Sequence, residues 1–115
     1  MKRPSLRRLY REHAHLFHLG KTKVSLHYAG IAGDGFNGLC YPPPYTGRQV
    51  CVILIEADLQ RDEFLPLLLH ELIHAEQWEH FQKLSHDAYF DNRVAELRAL
   101  GLRVADREGL INAAE

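Results

Sequence analysis

The sequence lacks an apolar stretch long enough to cross a membrane, and it has no strong excess of charge. A transmembrane helix needs about 20 apolar residues, and no segment of the 115-residue chain reaches that length. The basic N-terminus is not followed by the apolar core of a signal peptide. The net charge of -1 argues against a general nucleic-acid binder. We therefore expect a cytoplasmic protein whose partners include neither a membrane nor nucleic acid.

Cysteine is also scarce. The chain has Cys40 and Cys51 and no Cys-x-x-Cys pair of the kind that indicates a structural zinc knuckle. The two cysteines flank the proline-rich segment 42–47, so a hairpin could bring them face to face. A cytoplasmic setting keeps thiols reduced, and free thiols in two strands are therefore the expected state.

The periodicity of apolar residues predicts a single α+β domain over residues 1–115. Helical spacing predicts a first helix over Pro4–Leu19, and alternating apolar and polar residues predict a strand over Thr22–Tyr28. A short strand over Leu39–Tyr41 and a continuously apolar strand over Gln49–Glu56 follow.

Two helices are predicted after these strands. Asp62 is the expected N-cap of the first, which runs from about Glu63 to Lys83. A break with capping residues at 85–87 separates it from the second helix. That helix runs from about Ala88 to Arg107 and is expected to end near Gly109.

The first of these two helices contains an HExxH pattern, His70-Glu71-Leu72-Ile73-His74. Positions i and i+4 lie one turn apart on the same helix face, so His70 and His74 can bind one metal ion. Imidazole is a common ligand of Zn²⁺, which polarises a carbonyl group and lowers the pKa of a bound water. Glu71 stands beside the two histidines and can accept the proton of that water. Because the pattern is short, its surroundings must supply the remaining evidence.

A catalytic zinc usually takes three protein ligands and keeps one position open. His80 has the spacing of the metzincin third ligand, but Gln77 stands where that pattern has a helix-ending glycine. In a continuous helix His80 would lie about 9 Å beyond His74 along the axis and about 120° around it. The methionine turn of the metzincins is also missing, because the only methionine is Met1. His80 is therefore disfavoured.

His86 is a second candidate, because it lies in the break between the two helices and could turn towards the site. Nothing in its spacing fixes it there, and a capping or solvent-facing histidine is the ordinary alternative.

Glu96 is the third candidate and the favoured one. If the last two helices form an antiparallel hairpin that turns near Ser85, His74 lies eleven residues before the turn and Glu96 eleven after it. Ala95 and Ala99 flank Glu96 with small side chains, so the helices could approach closely at that level. The alternative is an exposed glutamate that pairs with a neighbouring arginine.

An HELIH segment with a glutamate about twenty residues downstream resembles the gluzincin zinc peptidases. Within that group the chain is similar to the smallest members, the minigluzincins, and to the related SprT-like domains. The resemblance covers roughly residues 20–107 and depends on the motif, its helix and the strand before it. It implies a zincin-like fold with one Zn²⁺ per chain, held by His70, His74 and Glu96, and with Glu71 as general base.

Two features depart from the thermolysin-type pattern. Those enzymes have asparagine before the ligand glutamate and aspartate four residues after it, where this chain has Ala95 and Leu100. The partner that orients each ligand histidine must therefore come from elsewhere. SprT-like domains commonly use a third histidine, which keeps His80 and His86 in consideration.

The expected function is zinc-dependent hydrolysis of peptides or unfolded proteins. The resemblance suggests that strand Val50–Ile55 is a sheet edge that pairs with extended substrate. Tyr89, His86 and Tyr28 are the candidates for stabilising the oxyanion. The alternatives are a catalytically silent or latent zinc-binding domain that acts in protein binding, and a helical interaction protein in which HExxH is accidental.

Overall fold

A computed structural model of the chain describes residues 3–46 and 50–106, with Tyr45 and Thr46 described by their backbone alone. Its helices and strands confirm the predicted α+β class. In chain order they are α1 (Leu6–His13), β1 (Lys23–Ala29), β2 (Gly38–Tyr41), α2 (Pro43–Thr46), β3 (Val50–Glu56), α3 (Phe64–Phe81) and α4 (Ala88–Ala99).

The three strands form one sheet in the order β1-β3-β2. Strand β1 pairs with β3 in parallel, and β2 pairs with β3 antiparallel. The prediction that Val50–Ile55 forms a sheet edge is therefore wrong, because β3 has a hydrogen-bonded neighbour on both sides. The edge beside the HExxH helix is β2 instead, since its Gly38 lies against Glu71 of α3.

The core lies between the sheet and α3. Alternate residues of β3 point towards this helix, and Cys51, Ile53 and Ile55 are completely buried. Cys40 and Cys51 are free cysteines on neighbouring strands, and their thiols are hydrogen-bonded to each other. Helix α3 is buried on almost its whole circumference from Phe64 to Ala75, as expected of a helix covered on several sides.

The ends of α3 are set by local hydrogen bonds. The predicted N-cap, Asp62, is exposed and lies within a single 3₁₀ turn that precedes the helix. Gln60 caps this turn in a reciprocal capping box with Glu63. The helix stops at Phe81 because Gln82 adopts the left-handed conformation, with φ of 53°.

Helix α1 is also shorter than predicted. It ends at His13 and continues as a 3₁₀ turn over Ala14–Leu16. Ser5 caps its start by accepting a hydrogen bond from the backbone N–H of Arg8.

The prediction that the last helix continues to Arg107 is wrong. Helix α4 ends at Ala99, and Gly101 then takes a positive φ of 90°, which reverses the chain. The following segment, residues 102–106, returns along α3, where the backbone N–H of Ala105 donates to the carbonyl oxygen of Pro66 at 3.1 Å. Gly109, the predicted end point, lies outside the described residues.

A buried ion pair connects α3, α4 and the N-terminal part of the chain. The Arg93 guanidinium donates to both carboxylate oxygens of Glu76, at 2.6 and 3.1 Å, and to the carbonyl oxygen of Leu16 at 2.6 Å. The Glu76 carboxylate also accepts from Tyr89 Oη and from the His18 backbone N–H. Burial alone would raise the pKa of Glu76, but these hydrogen bonds outweigh it, and the pKa lies below its ordinary value.

Among the described residues, no helix combines the length and apolar character that a bilayer crossing requires.

Candidate metal centre

Three imidazoles converge beside the middle of α3. His70 and His74 lie one turn apart on the helix, and His86 reaches them from the turn that joins α3 to α4. The Nε2 atom of His86 lies 3.1 Å from Nε2 of His74 and 3.4 Å from Nε2 of His70. The ligating atoms of all three residues lie within 4.8 Å of one another. The two helix histidines are buried and His86 is exposed, so solvent reaches the group from one side.

These separations can be compared with those of a metal site. Imidazole nitrogens lie about 2.0–2.1 Å from zinc in tetrahedral sites, which places two such nitrogens about 3.3 Å apart. The two Nε2 separations of 3.1 and 3.4 Å bracket that distance. The three histidines therefore fit a single small cation with little change in position.

The other ring nitrogen fixes the orientation of each helix histidine. Nδ1 of His70 lies 3.1 Å from the carbonyl oxygen of Ala105, and Nδ1 of His74 lies 2.7 Å from the amide oxygen of Gln77. Both partners are acceptors, so each Nδ1 must carry the proton. The lone pair of each Nε2 is then directed into the group, as a metal ligand requires.

An aromatic side chain packs against all three histidines. The ring centroid of the buried Phe90 lies 4.7–5.0 Å from the ring centroids of His70, His74 and His86. Burial lowers the pKa of both His70 and His74 to about 4. Both rings are therefore neutral at neutral pH, which is the state that binds a metal ion.

Glu71 lies on the same side of α3 as the Nε2 atom of His70. Its Oε2 atom is 3.8 Å from Nε2 of His70. Burial raises the pKa of the Glu71 carboxyl to about 8. Gly38 of β2 packs directly on this side chain, and a Cβ atom at position 38 would lie only 2.8 Å from Oε2 of Glu71.

The structure does not bring Glu96 to the histidines. The Glu96 side chain is 62% exposed, and its Oε2 atom accepts from Nη1 of Arg93 at 3.0 Å. Helix α4 packs through Phe90, Val94 and Leu97, a spacing that directs Glu96 away from α3. Equal distances from the turn near Ser85 do not determine which face of α4 meets α3.

The remaining candidates also have definite positions. His80 is exposed and lies beside His18, with 6.5 Å between ring centroids, outside the histidine group. Neither tyrosine hydroxyl is directed at the group. Tyr89 Oη donates to Glu76 and Tyr28 Oη donates to the carbonyl oxygen of Pro4. The oxyanion role predicted for them has no support from these contacts.

The partners that orient the histidines are not apparent from the sequence. Gln77 stands at the position of the metzincin glycine, and Ala105 lies within the predicted last helix. The readable signal for His86 was its place in Ser85-His86-Asp87, where Asp87 caps α4 by accepting from the Phe90 backbone N–H.

Comparison of the chain with protein-family models, with curated protein sequences and with solved structures gives no significant match. The assignment of a function therefore depends on the geometry of this site.

Proposed function

We propose that the protein is a zinc-dependent peptidase in which His70, His74 and His86 hold the metal and Glu71 is the general base. The observation that carries the proposal is the convergence of three Nε2 atoms beside the Glu71 carboxylate. Three imidazoles with one open side are a typical donor set of catalytic zinc. A zinc ion bound there would supply Lewis acidity and an activated water.

Glu71 is suited to proton transfer in this site. Its carboxylate lies next to the metal-binding nitrogen of His70 and away from bulk water. Burial raises the pKa of this carboxyl group to about 8 in the metal-free protein, and a cation bound beside it would lower that pKa again and favour the ionised base. The same carboxyl group can then protonate the amine that leaves when a peptide bond is cleaved.

Strand β2 offers the binding edge that was predicted for β3. It lies at the end of the described sheet, and its Gly38 contacts Glu71. An extended peptide that pairs with β2 would therefore pass close to the general base. The exposed aromatic residues Phe36 and Tyr41 stand before and at the end of this strand, where they can contact substrate side chains.

This assignment refines the expected family. A histidine as third ligand agrees better with the SprT-like domains than with the gluzincins, whose third ligand is a glutamate. The proposal is supported by the order of a strand, the HExxH helix and a further helix along the chain, which a zincin-like domain would share.

The decisive experiment compares wild type with Glu71→Gln. Both proteins are expected to bind one zinc, because Glu71 is not a ligand. Cleavage of an unfolded substrate such as casein is expected to fall at least about 100-fold in the variant, the usual contribution of a general base. Metal content is measured by atomic spectroscopy, and cleavage by release of labelled peptides.

Two outcomes would contradict the proposal. Absence of zinc from a correctly folded wild type would remove the metal centre. Equal inactivity of both proteins with one zinc each would instead indicate a zinc-binding protein without catalysis.

Gly38→Ala is expected to lower kcat/KM at least about 10-fold, since shifts of about 1 Å in catalytic groups can lower rates about 100-fold. The added methyl group must displace the Glu71 carboxylate, which lies 2.8 Å from the position of the new Cβ. Gly30→Ala is the matched control, because nothing lies within 4 Å of a Cβ there. Equal kcat/KM values for the two variants, with zinc bound to both, would show that β2 does not constrain the base.

A further inference from the structure

We infer that Gln77 is a positioning residue that holds His74 and the His86 turn together in metal-binding geometry. This inference rests on the proposed metal centre, and it concerns how the ligand side chains are held in position in the metal-free protein.

The Gln77 amide is completely engaged. Its Oε1 atom accepts from Nδ1 of His74 at 2.7 Å and from the Ser85 backbone N–H at 3.3 Å. Its Nε2 atom donates to the Ser85 carbonyl oxygen at 2.7 Å and to Oδ1 of Asp87 at 3.1 Å. A primary amide can accept two hydrogen bonds and donate two, and all four are made. These four contacts also fix which end of the amide is oxygen, since both partners of Nε2 are acceptors.

The contacts join two parts of the centre that are separate in sequence. One partner is a ligand on α3, and the other two residues stand immediately before and after His86 in the turn. Asp87 in turn caps α4 through the Phe90 backbone N–H at 3.1 Å. Gln77 therefore links the orientation of the His74 ring to the position of the backbone that carries His86.

Because Gln77 is buried, the loss of any of its hydrogen bonds is costly. Gln77 is only 1% exposed, so water cannot replace hydrogen bonds that a substitution removes. No other ordinary side chain reproduces all four contacts. Glutamate accepts from His74 but cannot donate to Ser85 or Asp87, and its charge would face the Asp87 carboxylate. Methionine has a similar shape but forms only weak hydrogen bonds.

The test combines zinc affinity with the state of the His74 ring in the metal-free protein. Gln77→Met is expected to weaken zinc binding about 10- to 100-fold, the usual effect of losing a partner that orients a ligand histidine. Zinc affinity is measured by competition with a chromophoric chelator. The proton position on the His74 ring is read from two-bond ¹H–¹⁵N correlation spectra of the metal-free protein, where wild type is expected to carry it on Nδ1.

Two variants separate positioning from a general loss of structure. Glu76→Gln changes the neighbouring buried residue of the same helix, whose carboxylate accepts from His18, Tyr89 and Arg93 and is not hydrogen-bonded to the three histidines of the proposed centre. It is expected to lower stability yet keep the zinc affinity of the folded protein within about 3-fold, because the ligands and their partners are unchanged. Gln77→Glu is expected to retain the Nδ1 proton on His74, because it keeps an acceptor there, whereas Gln77→Met is expected to lose this preference.

The results distinguish this inference from the proposed function. If Gln77→Met leaves both the zinc affinity and the His74 proton position as in wild type, the inference is wrong although the metal centre stands. If wild type binds no zinc, the proposed function fails, and the Gln77 inference is then overturned as well. If Glu76→Gln weakens zinc binding as much as Gln77→Met, the effect is a general loss of structure, and the positioning role is refuted.

Discussion

His86→Ala is expected to weaken zinc binding more than about 100-fold, whereas Glu96→Ala is expected to leave it unchanged. Loss of an orienting partner alone lowers metal affinity about 10- to 100-fold, and removal of a ligand exceeds that. The expectation follows from the positions of His86 and Glu96 relative to the two helix histidines. Nε2 of His86 lies within 3.4 Å of both helix histidines, while the Glu96 carboxylate is exposed and paired with Arg93. Isothermal titration of the metal-free proteins with Zn²⁺ gives the affinities.

His80→Ala is a useful companion to this pair, because it removes an exposed imidazole of the same helix that lies outside the group. Its zinc affinity is expected to equal that of wild type. Weaker binding in Glu96→Ala than in His86→Ala would restore the glutamate as third ligand. It would also show that the two helices pack differently when metal is bound.

Arg93→Ala is expected to lower the free energy of unfolding by about 3–5 kcal/mol, a large fraction of the stability of a small domain. The variant leaves the fully buried Glu76 carboxylate without its cation. It also removes the donor to the Leu16 carbonyl oxygen, which attaches the N-terminal part of the chain to α4. Urea unfolding followed by circular dichroism measures the change.

A double variant isolates the contribution of the buried charge. Combining Glu76→Leu with Arg93→Met removes both charges, and this protein is expected to be more stable than Arg93→Ala because no ion remains unpaired. Glu96→Gln, which removes only the exposed partner of Arg93, is expected to change stability by no more than about 1 kcal/mol. An Arg93→Ala protein as stable as Glu96→Gln would mean that water or another cation satisfies Glu76.

The parts of the fold that could be predicted are those governed by local patterns. Alternation of side chains identified β1, and the run of apolar residues identified β3 and the helix that carries HExxH. Pairing order could not be predicted in this way. A continuously apolar strand such as β3 is typical of a strand covered on its faces, but that pattern does not determine which strands lie beside it in the sheet.

In the candidate site, too, only the residues whose relative positions depend on a local pattern could be predicted. Helix geometry alone placed His70, Glu71 and His74 correctly relative to one another. The choice between His86 and Glu96 depended on which face of α4 meets α3, and on the polar contacts of Gln77 eight to ten residues along the chain. The periodicity of apolar residues gives no information about a buried amide such as that of Gln77. The early end of α4 is predictable in principle, because Gly101 is a natural helix stop that comes before Gly109 in the chain.

The return of residues 102–106 along α3 makes a backbone segment beyond the last candidate ligand part of the proposed metal centre. A fragment that stops at Ala99 would contain HExxH, His86 and every other candidate ligand, yet the acceptor for Nδ1 of His70 would be missing. Packing of residues 102–106 against α3 and orientation of the His70 ring are thermodynamically linked. A change that stabilises one of them therefore stabilises the other. The smallest unit that can form the complete centre is therefore defined by a backbone carbonyl at Ala105 and not by the last ligand in the sequence.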